Sequence, residues 1–201
     1  MKIIKQLAPV LLLVLPLFAH GELVDKSTHT VVPNVIQAME DKYQLLLGTW
    51  QCQSSPHMTK QYGKVLATYQ FLPNDELKIS KTSYVNADMG GGVYHIDTDR
   101  TWKLYRQTKD NNTIFTIMEQ TVALTGFDSK NADPEQAQSI KKYAQDTKDI
   151  NMIAVSRLTD DYLQLGYGGM VAWDDVTRGV DYDVFRCHRV GQEVGQSAPA
   201  S

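Results

Sequence analysis

Cysteine is scarce in this 201-residue chain, with only Cys52 and Cys187 present. Two sulfur ligands, with no histidine at a finger-like spacing from either, exclude a structural zinc module. No basic run is longer than Lys141-Lys142, so the clustered cations that bind a phosphate backbone are missing and nucleic acid is not an expected partner. Beyond residue 21 no apolar stretch is long enough to span a bilayer as a helix. No serine lies in a G-x-S-x-G context, and the chain has no internal repeat.

The N-terminus does carry a signal. Met1-Lys2-Ile3-Ile4-Lys5 is a short basic start, residues 8–18 are almost wholly apolar, and Ala19-His20-Gly21 places small residues at the first and third positions. That pattern reads as a cleavable secretory peptide over 1–21, with no cysteine after it for lipid attachment. Losing Lys2 and Lys5 moves the formal charge from −3 to −5. The expected location is periplasmic or secreted, with no membrane span after cleavage. In that oxidising setting the two distant cysteines read as one Cys52–Cys187 disulfide.

Residues 22–33 read as a flexible leader, 34–190 as the folded domain and 191–201 as a disordered tail. Asn34 is placed to cap a helix to about Leu46, with Val35, Met39, Tyr43 and Leu46 on one face. Strands follow at hairpin spacing. Val65, Ala67, Tyr69 and Phe71 share a face over 64–72. Leu77 and Ile79 point inward from 76–85. Further strands fall at 93–96, 100–108, 113–124, 150–158, 162–167, 170–173 and 180–190. Trp102 and Leu104 share one face, as do Phe115 and Ile117. Asp133-Pro134-Glu135 starts an inserted helix over 134–146, whose narrow stripe is Ala137, Ile140, Tyr143 and Ala144. The expected fold is all-β: a closed up-and-down antiparallel barrel of eight to ten strands, with an N-terminal and an inserted helix.

Closure can be read from parity. If Cys52 faces Cys187 across antiparallel first and last strands, Trp50 falls opposite Arg189, and all four side chains lie on one face. A guanidinium can then stack on the indole. With Gly48-Thr49-Trp50 after a short helix and Arg189 on the last strand, the chain resembles the lipocalin and wider calycin families. The resemblance implies a ligand-holding barrel closed by the Trp50–Arg189 pair. The opening Leu46-Leu47-Gly48-Thr49-Trp50 also resembles the nitrobindin type of haem barrel, which implies His188 as iron ligand. Parity puts His188 on the face opposite to Trp50, so no cofactor is expected.

Other candidates are weaker than their bland alternatives. His95, Asp97 and Asp99 share a strand face, as a cation site would require, but solvated residues at a strand end fit as well; no metal is expected. Asp181 and Asp183 share the face of Phe185 and Cys187, where crowding would raise a carboxyl pKa. No nucleophile accompanies them. His57-Met58 sits in a polar connection. The candidate cavity or core residues are Tyr69, Phe71, Trp102, Phe115, Tyr162, Tyr167 and Trp173. Together these point to a non-catalytic barrel that holds a small hydrophobic ligand. The alternative is a module that binds a protein partner in the cell envelope, such as an inhibitor or immunity protein, through the connections at 54–63 and 174–179.

Overall fold

The computed structural model describes residues 33–109, 112–146, 150–167 and 183–191. The expected signal peptide, most of the leader and tail, and the strand at 170–173 lie outside the described residues. The elements in chain order are α1 (Pro33–Leu46), β1 (Gly48–Ser54), α2 (Pro56–Tyr62), β2 (Gly63–Phe71), β3 (Glu76–Val85), a 3-10 turn (Ala87–Met89), β4 (Val93–Lys109), β5 (Asn112–Lys130), α3 (Pro134–Ala144), β6 (Ile150–Leu158), β7 (Tyr162–Tyr167) and β8 (Asp183–Arg189).

Each strand pairs antiparallel with the next, and β8 returns to β1, so the eight strands close an up-and-down barrel. Eight strands are seen among the described residues: 93–96 and 100–108 form one strand, and the expected strand at 170–173 lies outside them. Asp97 to Asp99, which read as a break, stay in the β4 ladder, and register shifts against β5 at Asp97/Thr98 and Asp99/Arg100 absorb the irregularity. The polar connection holding His57-Met58 is a helix, α2. Ser55 caps it by accepting from Met58 N, and Pro56 fits its first turn. At the far end of α2, Gly63 adopts φ 105, and a Cβ there would lie 2.0 Å from the Tyr84 carbonyl oxygen, so only glycine allows this start to β2. α1 begins at Pro33, one residue before the expected cap.

Strand directions place α2, the 3-10 turn and α3 at one end of the barrel, and α1 with the turns at 72–75 and 159–161 at the other. Inward side chains follow the two-residue period. At the α1 end they fill the lumen: Leu46, Trp50, Phe71, Leu77, Trp102, Ile117, Leu163 and Leu165 are all buried to within about 1 %. Tyr43 of α1 stacks on Trp102 with centroids 4.9 Å apart, and Phe71 meets Trp102 edge-on at 5.0 Å. Burial of each such side chain is worth about 1.5–3 kcal/mol, so this layer anchors the fold. Toward the other end Val65, Lys81, Ser83, Asn151 and Phe185 are only half-buried.

α3 is held more lightly. Asp133 caps it by accepting from Gln136 N at 2.9 Å, as its sequence signature suggests, and Gln136 Nε2 donates to Met89 O at 3.2 Å. Only Ala144 of the helix is buried. Tyr143, assigned above to the apolar stripe, is instead 60 % exposed. Replacing 132–148 with a short Gly/Ser linker should leave the barrel folded and its disulfide formed, since so little area is lost. Far-UV circular dichroism and a thiol titration of the deletion variant check this; global unfolding would make α3 a core element.

Candidate functional site

The β1–β8 seam pairs Cys52 with Cys187 and Trp50 with Arg189. The cysteines form a disulfide that joins residues 135 apart. The Trp50 indole donates from Nε1 to Leu46 O at 2.8 Å. The Arg189 guanidinium lies 4.2 Å from the centre of the Trp50 ring. It donates from Nε to Asp160 O at 2.5 Å, from Nη1 to Leu47 O at 2.6 Å and from Nη2 to Leu45 O. The arginine thus joins the last strand to the C-terminal end of α1 and to the β6–β7 turn. Gly48 makes this possible. It has φ 115, and a Cβ would sit 2.8 Å from Arg189 Nη1. The short G-x-W signature is therefore a packing unit: glycine leaves room for the guanidinium, and tryptophan is its platform.

Above the aromatic layer the lumen changes character. Strand pairing puts Leu77 beside Arg100, Arg100 beside Thr121, Trp102 beside Glu119, and Glu119 beside Asn151. Lys81 lies two residues beyond Ile79 on the same inward face. Arg100 Nη1 donates to Glu119 Oε1, and Arg100 Nε donates to Thr98 Oγ1 at 3.0 Å. Asn151 Nδ2 reaches Glu119 Oε1 at 3.5 Å. Burial pushes the Glu119 carboxyl up, while Arg100 and Lys81 pull it back. Burial pushes the Lys81 ammonium down, Arg100 adds to that, and Glu119 opposes it. Glu119 therefore shares one low-dielectric space with Arg100 and Lys81, and burial there disfavours the charged forms of both Glu119 and Lys81. Two polar atoms remain buried with no hydrogen-bond partner among the described residues: Glu119 Oε2 and Trp102 Nε1. A buried group left unpaired costs about 1–3 kcal/mol.

Of the aromatic candidates, Tyr69, Phe71 and Trp102 are buried in the lumen, and Phe115 is half-buried against the core. Tyr162 is not in the lumen. It pairs with His188 on the outer wall, meeting its ring edge-on at 5.5 Å, and Arg157 lies 5.3 Å over its face. The inward positions of β7 are those of Leu163 and Leu165, so parity excludes Tyr162. Tyr167 ends β7 opposite Ile153; its side chain, Trp173 and the carboxylates of Asp181 and Asp183 lie outside the described residues. His188 is exposed on that outer wall, so it does not fit a haem held inside the barrel.

His95 and Asp97 do share an outer face, and they bond to each other. Thr82 Oγ1 is 3.0 Å from His95 Nδ1, and His95 Nε2 is 3.1 Å from Asp97 Oδ2. Hydroxyl, imidazole and carboxylate follow the order of an activated nucleophile. The His95 and Asp97 side chains are 42 % and 37 % exposed on an open wall, without the enclosure that such chemistry uses to exclude water. No group of three or more His, Cys, Asp or Glu among the described residues is placed to hold a metal ion.

Two concavities also lie on the wall. One, of about 390 Å³, is bordered by Thr68, Gln70, Lys78, Asp97 and Asp99. The other, of about 460 Å³, lies against α2 and is lined by Gln53, Ser54, Pro56, Thr59, Lys60, Lys64 and Arg186, with no carboxylate. No protein-family model matches the chain, and neither the curated proteins nor the solved structures yield a match.

Proposed function

We propose that the protein is an exported, non-catalytic binding protein of the lipocalin-like barrel type, and that it carries a small, largely apolar molecule in the half of the lumen away from α1. The gradient of burial along the lumen supports this most. Inward residues are sealed at the α1 end, whereas Val65, Ile153 and Phe185 are only half-buried farther along. Apolar side chains that point into a barrel and stay partly open are what a small-molecule site offers. The disulfide fits an oxidising compartment, and no described helix is long and apolar enough to cross a membrane.

Native mass spectrometry of protein purified from its own source is expected to show the polypeptide carrying the mass of one small molecule, lost on extraction with organic solvent. A bare polypeptide that also gains nothing when incubated with apolar probes would remove the carrier reading.

A second reading rests on the groove against α2. Lys60, Lys64 and Arg186 border it with no acid among its lining residues, although the chain as a whole is acidic. That surface suits an acidic protein partner in the envelope, as an inhibitor or immunity protein would have. A polypeptide that travels with the native protein, and is released when Lys60 and Lys64 are changed to Glu, would favour it.

A further inference from the structure

The geometry points to a hydroxyl group as the polar feature of the ligand, received in the lumen between Trp102 and Glu119. This rests on the carrier reading above and gives its ligand a chemical class: an apolar molecule bearing an alcohol.

Trp102 and Glu119 stand directly opposite on β4 and β5 and point to the same face. Each has one buried polar atom without a partner, and the two are complementary. Trp102 Nε1 can only donate, and Glu119 Oε2, when ionised, can only accept. Their other capacity is spent. The Trp102 ring is fixed between Tyr43 and Phe71. Glu119 Oε1 is taken by Arg100 and Asn151, and Glu119 is 4 % exposed. The carboxylate cannot turn to satisfy itself without breaking the Arg100 pair.

A group that satisfies both must therefore accept from an indole N–H and donate to a carboxylate oxygen on the directly paired residue of the next strand. A hydroxyl does both with one atom. An ether or ketone oxygen accepts but leaves Glu119 Oε2 unpaired. A carboxylate brings a second negative charge beside Glu119, in a space where charges are poorly screened. An ammonium satisfies Glu119 but gives Trp102 nothing, and it adds a third cation to Arg100 and Lys81. The body of the molecule then lies toward the α2 end of the lumen, where the inward apolar side chains of Val65 and Phe185 are half-buried.

The test compares three probes with one chain length: 1-decanol, decyl methyl ether and decanoate. Binding to the full mature chain is followed by calorimetry and by tryptophan emission, which responds when an indole N–H gains an acceptor. Decanol should bind about tenfold more tightly than the ether, the ratio set by leaving one buried acceptor unpaired, and more tightly than decanoate. In Glu119→Gln that preference over the ether should shrink to within about twofold, because the anionic acceptor is gone. Equal binding of decanol and ether by the wild-type chain would overturn the hydroxyl assignment while leaving the carrier reading in place. Tighter binding of decanoate would overturn it in favour of an anionic head group held by Lys81 and Arg100. Binding of no probe would overturn both. The wild-type comparison decides the matter even if Glu119→Gln does not fold.

Discussion

Trp50→Ala is expected to lower folding stability by about 3–5 kcal/mol, the cost of truncating a large, fully buried aromatic. Trp50 is 0 % exposed, its indole N–H holds the last turn of α1 through Leu46 O, and its face carries Arg189. Since a domain is typically stable by only about 5–15 kcal/mol, the variant should lie near the edge of folding. Arg189→Ala should cost less, because its partners near the surface can turn to water. The two losses should not add. Residues in contact typically couple by about 0.5–3 kcal/mol, and the Arg189 guanidinium lies over the Trp50 ring. Urea unfolding of the wild type, both single variants and the double variant measures the coupling. Additive losses would contradict the stacked geometry.

The second large effect is expected from the disulfide. Changing Cys52 and Cys187 together to alanine opens a loop of 135 residues, for which the chain-entropy account gives about 5 kcal/mol. Alanine suits the test because both positions are buried, and serine would add an unpaired hydroxyl. The comparison is between the variant and the oxidised parent in denaturant. A loss below about 1 kcal/mol would mean that the unfolded parent gains little freedom when the link is cut, and that the seam is held by Trp50, Arg189 and the strand ladder alone.

How legible this was in the sequence varied from residue to residue. The seam could be read in full: two cysteines, antiparallel ends and a two-residue period fix Trp50 against Arg189, and the pairing register agrees. α3 was visible from its Asp133 cap and Pro134, and α1 from the helical spacing of Val35, Met39, Tyr43 and Leu46, although its expected cap, Asn34, lies one residue inside the helix. α2 was not read, although Ser55-Pro56 is the same kind of signal, because seven residues give too little helical period to set against a polar connection. The polar layer of the lumen was missed for a different reason. Lys81, Arg100 and Glu119 each sit two residues from an inward apolar side chain: Ile79, Trp102 and Ile117. Continuing the alternation by one step would have placed all three inside. A charged residue in a strand ordinarily marks the solvent face, and these three depart from that rule. Tyr162 failed in the opposite sense, as an aromatic at an outward position.

The seam also sets the order in which the molecule can be finished. β1 and β8 stand at opposite ends of the barrel sequence, and each lacks one neighbour until the other arrives. In a chain made from its N-terminus, β1 waits with a row of backbone N–H and C=O groups unpaired while the intervening strands emerge. An open strand edge is a template for pairing with another molecule, and such long-range pairing is slow. With no third cysteine in the chain, an oxidant acting early has no internal partner to offer Cys52. The covalent link therefore cannot form within the chain until the segment carrying Cys187 has been made, and once formed it holds the two ends of the barrel sequence together.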